Sequence, residues 1–142
     1  MSRLRSILHT DADGSILPLV LGYALIAIAV LFVCVAATDL YITQKRLDAT
    51  ADAAALAGAD GFTLEVDGEG VRAELTDAGV RDQAQAVVSA TAPNTRLDAA
   101  GTPDGVSARV TVSTSWHPPL ISLFVPDGVA LEATATSRTA LR

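Results

Sequence analysis

The sequence predicts an α+β protein: a long N-terminal transmembrane and stem helix, followed by a small antiparallel sheet with one packed helix. Three observations carry this. Residues 16–37 form an uncharged run of 22 residues. After Gly22, no glycine or proline occurs until Gly58. Beyond Gly61, apolar and polar residues alternate in several short runs, the period of half-buried strands.

Composition bounds what the chain can be. Its 142 residues are 50% hydrophobic, yet the excess is concentrated in the one uncharged run. The formal net charge is −6, with 11 acidic against 6 basic residues in 60–142. That balance gives a nucleic-acid partner no electrostatic footprint. Cys34 is the single cysteine, so neither an internal disulfide nor a cysteine-based metal site is available.

The run ILPLVLGYALIAIAVLFVCVAA (16–37) is apolar on every face. As a helix it reaches about 33 Å, which matches a hydrocarbon core of about 30 Å. A cleaved signal peptide is the competing reading, with Arg3 and Arg5 as its basic start and Val35, Ala36 and Ala37 as its cleavage site. The length of the run and the acidic Asp11 and Asp13 before it favour a permanent span, because signal h-regions are shorter and follow basic residues. Ser15 suits an N-cap and Pro18 the first turn. Gly22 offers a place where another helix could approach closely. The basic residues nearest the start favour an N-terminus inside, in the cytoplasmic membrane, with the acidic C-terminal part outside.

The helical pattern continues through TDLYITQKRLDATADAAALAGADG. Leu40, Leu47 and Ala54 repeat every seven residues, with Ala51 and Gly58 near the same face. An alanine-rich stripe of Ala49, Ala53, Ala54, Ala57 and Gly58 permits close backbone approach. It packs either against neighbouring subunits or under the chain's own C-terminal domain, and the sequence leaves both open. One helix from Ser15 to Ala59 would measure about 65 Å. The expected organisation is a cytoplasmic segment 1–14, a span 15–38, a stem 39–60 and a domain 61–142.

In that domain, FTLEVDGEGVRAEL reads as a hairpin with a Gly-rich turn. Val80, Ala84, Val87, Val88 and Thr91 mark a helix from Thr76 or Asp77 to Ala92, ended by Pro93. A short strand is expected over 95–100, then two alternating strands over 106–116 and 129–137, with GTPDG (101–105) as a turn. Between the last two lies HPPLISLFVPDG, whose Leu120, Ile121, Leu123, Phe124 and Val125 make the most apolar segment outside the span. Its three prolines argue against a regular strand. It is expected either to plug one end of the sheet or to offer a partner patch.

No catalytic constellation is present. His9 and His117 are far apart in sequence, and His117 has no cysteine or carboxylate at ligand spacing; no phosphate-binding or nucleophile-elbow motif occurs. No cofactor and no metal are expected.

DADGSILPLVLGYALIAIAV followed by DLYITQKRLDATADAAALAGAD resembles the N-terminal module of TadE/TadG-like proteins of Flp (tight-adherence) pilus assembly, in its actinobacterial form. The resemblance covers residues 11–60. It implies a pilin-like architecture and a pseudopilin-like, non-enzymatic envelope protein that contributes to a pilus-like or secretion-related structure. Its implied partners are membrane lipid, other assembly proteins and copies of itself. The alternative is a membrane-anchored ligand-binding or sensory module. In the family, processing follows a glycine, which makes the bond between Gly14 and Ser15 the candidate site. The recognition carboxylate expected five residues on is replaced by Leu19, with Pro18 before it, so the bond is expected to stay intact.

Overall fold

The computed structural model describes residues 16–67, 70–118 and 127–138. Gly14, Ser15 and the 120–125 segment lie outside them. The elements are α1 (Ile16–Asp60), β1 (Thr63–Asp67), β2 (Gly70–Glu74), α2 (Asp77–Thr91), β3 (Arg96–Gly101), β4 (Ser107–Trp116) and β5 (Val129–Arg138). The chain divides into two compact units, Met1–Thr38 and Asp39–Arg142, and α1 contributes to both.

In the first unit, the described residues are the apolar part of α1. Its large side chains are exposed, from Ile16 and Leu17 to Val33 and Val35. The helix is long and apolar enough to cross a membrane by length and composition. The Thr38 hydroxyl, at the end of the run, donates to the Cys34 carbonyl one turn back at 2.8 Å, so it needs no water partner.

The second unit is a two-layer packing of helices on a sheet. The three-stranded sheet has the order β3-β4-β5, antiparallel throughout, with β4 in the middle. Alternation sets its inner face: Ala108, Val110 and Val112 of β4 and Ala133 and Ala135 of β5 are buried. The register pairs Val110 with Ala135 and Val112 with Ala133, a large residue beside a small one each time. On the outer face, Thr111 and Thr134 lie opposite each other and their hydroxyls bond at 2.9 Å. Onto the inner face pack Leu47, Ala51, Ala54, Ala55, Gly58 and Ala59 of α1, with Val80, Ala84 and Val88 of α2. Each fully buried valine contributes about 1.5–3 kcal/mol through apolar area removed from water.

The helix α2 starts where its sequence supplies a cap. The Thr76 hydroxyl accepts the Gly79 N–H at 3.1 Å. At the other end, the Ala92 N–H still reaches the Val88 carbonyl, and Pro93 then stops the helix. The predicted strands are all present, with ends shifted by one or two residues. One difference concerns the hairpin. β1 and β2 pair with each other, Leu64 opposite Ala73 and Val66 opposite Val71, and form a separate two-stranded sheet rather than part of a single layer. Their inner rows of hydrogen bonds are satisfied between themselves. The chain then joins the rest through Leu75, whose N–H donates to the Gly105 carbonyl at 2.9 Å.

That carbonyl belongs to the turn before β4, where Asp104 organises the backbone. Its Oδ1 accepts from the N–H groups of Val106 (3.1 Å) and Ser107 (2.6 Å), and its Oδ2 from the Ser107 hydroxyl (2.9 Å). Gly105 has a φ of 74°, a left-handed conformation that glycine adopts without strain. The Val106 N–H first, then the Ser107 groups, hold the Asp104 carboxyl below its ordinary value of 3.8. A carboxyl lowered on folding adds stability at pH above its ordinary value, and loses it as pH falls through the lowered one. Asp104→Asn should therefore be less stable than wild type at neutral pH. The gap should close as pH drops below 3.8, read by urea unfolding at a series of pH values.

Gly58 gives a second prediction. A Cβ there would come within 2.9 Å of Val80 Cγ1 and 3.3 Å of Ala108 Cβ. Gly58→Ala gains about 1 kcal/mol in helix propensity but costs about 1–3 kcal/mol in overpacking against a stiff, fully buried valine. Net destabilisation is expected, measured by urea unfolding in mild detergent with the emission of Trp116, the single tryptophan.

Candidate assembly surface on the stem helix

Residues 39–60 of α1 carry two small-residue faces that the sequence placed on one stripe. Helical spacing separates them. Leu47, Ala51, Ala54 and Gly58, at intervals of four, three and four, lie on the buried side with Ala55 and Ala59. Of these, Ala54 and Ala59 are fully inaccessible. Ala49 and Ala53, four apart, are exposed, and Ala57 is half-buried one turn further on. Leu56 beside them is 56% exposed, unusual for a leucine outside the apolar run. The two readings of the stripe thus fall on different residues. The face with Ala54 and Gly58 packs under the chain's own sheet and α2, while Ala49, Ala53 and part of Ala57 stay open. Gly22 lies in the apolar run, where a Cβ would meet nothing within 4 Å.

The polar side of the stem is ordered by short-range bonds. Lys45 Nζ donates to Asp48 Oδ2 at 2.9 Å and lies 5.9 Å from the centroid of the Tyr41 ring. Gln44 Nε2 donates both to Asp48 Oδ1 (3.0 Å) and, across to the sheet, to the Glu132 carbonyl (3.1 Å). The Lys45 bond, then the Gln44 bond, lower the Asp48 pKa, and the Asp48 bond raises that of Lys45. Both groups face solvent, so the pair orders side chains more than it stabilises the fold. At the start of the stem, Trp116 Nε1 donates to Asp39 Oδ2 at 2.7 Å, joining residues 77 apart in the chain. No local pattern around either residue signals this bond. From the sequence, Asp39 reads as an interfacial cap at the exit of the apolar run.

Elsewhere among the described residues of the unit there are surface grooves. One, about 560 Å³, runs over the start of α2 and the end of β3, with Arg81, Arg109 and Thr111 on its walls. A second, about 510 Å³, lies between the stem and the end of α2, lined by Arg46, Thr50 and Asn94. Among the described residues, no group of three or more His, Cys, Asp or Glu could hold a metal ion. Of the candidate helix-contact residues, Gly58 and Ala54 are buried in the core, Gly22 and Ala57 are half-buried, and Ala49 and Ala53 are exposed. Gly14, Ser15, Leu120, Ile121, Leu123 and Phe124 fall outside the described residues.

Because Ala53 and Ala54 are adjacent but lie on opposite sides of the packing, they separate surface from core. Ala53→Asp should change stability by no more than about 0.5 kcal/mol. Ala54→Asp places an unpaired charge in the core, at a cost of about 3–5 kcal/mol, and should abolish cooperative unfolding in the same urea assay.

Residues 14–61 match the family model described as "Tad: Putative Flp pilus-assembly TadE/G-like", a segment that coincides with α1 and its immediate flanks. Neither the curated proteins nor the solved structures provide a match. A TadE/G-like segment implies a role in Flp pilus assembly, in a family that is typically non-enzymatic. The apolar helix is compatible with a membrane anchor.

Proposed function

We propose that this chain, TadE/G-like over its N-terminal segment, is a single-pass protein of the cytoplasmic membrane that acts by assembly. It is a pseudopilin-like component of a Flp-type pilus or a related secretion structure, with its N-terminus inside and residues 61–142 outside. Its partners are other Tad pilus-assembly proteins and further copies of itself. The single observation that carries this reading is that the family match begins and ends with α1, the helix that holds both the apolar run and the stem.

The surface of the stem supports it. Ala49, Ala53 and the exposed Leu56 give a second helix a place to approach closely without disturbing the core. The cores of the described elements are filled with alanine and valine, and the cavities are grooves at the surface. That arrangement suits contact between proteins better than capture of a small molecule in an enclosed pocket.

Two measurements test it. The chain should remain in the membrane fraction after alkaline carbonate washing, because an uncharged run of this length has no peripheral mode of binding. Recovery in the soluble fraction with a new N-terminus near Thr38 would mean a cleaved signal instead. Purified from native membranes in mild detergent, the wild-type chain should bring down other Tad components, and folded Ala53→Asp should bring down less. Unchanged recovery with Ala53→Asp would move the assembly surface off the stem.

A further inference from the structure

We infer that the end of the sheet formed by Trp116 and Val129 is a lipid-contact surface, seated in the headgroup layer of the membrane. The inference rests on reading residues 16–37 as a span, and needs beyond that only the covalent chain and one hydrogen bond. Asp39 is the second residue after the apolar run. Its carboxylate is therefore within a few ångströms of the edge of the hydrocarbon core, at a rise of about 1.5 Å per residue. The headgroup layer on each side of that core is about 5–8 Å deep. Trp116 Nε1 is 2.7 Å from Asp39 Oδ2, so the indole ring is held at the same level.

The residues around this bond have the chemistry of that layer. Outside the apolar run, the exposed large hydrophobic residues among those described are Tyr41, Ile42, Leu56, Val106 and Val129. Tyr41 and Ile42 follow Asp39 within one helical turn, and Val129 is the register partner of Trp116. Three of the five thus gather at one end of the unit. Tryptophan and tyrosine concentrate at membrane interfaces because one side of each ring is apolar while its N–H or O–H needs a polar partner. Trp116 already has that partner in Asp39. Lys45 stands next along the helix with its ammonium near the Tyr41 ring, a position from which a lysine can reach phosphate oxygens. The connection from β4 to β5 also leaves and returns here, through His117 and Pro118 and through Asp127 and Gly128.

Trp116 is the only tryptophan, so its emission reports this site alone. The full chain is reconstituted into phosphatidylcholine and phosphatidylglycerol vesicles whose acyl chains carry bromine at successive depths. The expected result is loss of emission with bromines near the headgroup, less with bromines near the chain ends, and little quenching by aqueous iodide. Asp39→Ala should weaken the lipid quenching and admit iodide. A chain that resists carbonate washing but whose Trp116 is quenched by iodide and not by brominated lipid would overturn this inference and leave the span intact. A chain released by carbonate would instead overturn the span itself.

Discussion

The close approach of the α1 stem to the sheet is the contact on which the rest of the fold depends. It is rich in small residues: Ala51, Ala54, Ala55, Gly58 and Ala59 join Leu47 on the helix, and Ala108, Ala133 and Ala135 join Val110 and Val112 on the strands. At Gly58 the approach is close on both sides: a Cβ there would lie 3.3 Å from Ala108 of β4 and 2.9 Å from Val80 of α2. Interiors packed at this density respond to single methyl groups. The contact is also long. It runs from Asp39, bonded to Trp116, to Gly58, beside Ala108. Those 19 helical steps cover about 28 Å at helix rise, and the eight strand steps of β4 between Trp116 and Ala108 cover about 26 Å. Helix and central strand therefore match in length and travel side by side, tied at both ends.

A helix used this way has its inner face committed, which gives the outer face a defined character. The residues that remain free follow from geometry: with 3.6 residues per turn, Ala49 and Ala53 cannot share a side with Ala51 and Ala54. An exposed alanine pair with Leu56 beside it costs the fold little and leaves backbone accessible to another helix. The polar flank, with Lys45, Asp48 and Gln44 bonded among themselves, keeps the same helix wet on its remaining side.

Much of this was legible in the sequence, for reasons that differ by element. The apolar run could be read from its length and lack of charge, and the stem from its helical spacing, with no glycine or proline between Gly22 and Gly58. The bounds of α2 were legible because Thr76 and Pro93 are chemical punctuation. The alternation in β4 and β5 gave both strands and their inner faces, and the seam of Leu47, Ala51, Ala54 and Gly58 could be read from its spacing. What covers that seam could not, because alanine packs equally well under a neighbour or under its own sheet. Nor did local pattern show that β1 and β2 would form a sheet of their own, since pairing depends on distant edges. The bond between Trp116 and Asp39 is of the same kind: it joins residues 77 positions apart, and neither residue carries a local signal for the other.

This architecture bears on how such a protein can act. The element that carries the apolar run also supplies 5 of the 14 buried hydrophobic core residues among those described, so a disturbance at the stem is felt by the sheet. Binding at the outer stem face need not open that core, because Ala49 and Ala53 are exposed while Ala54 is buried. Binding at the inner face would require unfolding. An assembly role that uses the outer face is therefore compatible with a fully formed domain. The domain in turn holds the stem in one conformation and relieves a partner helix of the entropy of ordering it. The small sheet is then more than an appendage to a long apolar helix. It keeps the exposed stripe of Ala49 and Ala53 presented in a fixed helical frame, which is the condition for close helix contact between small residues.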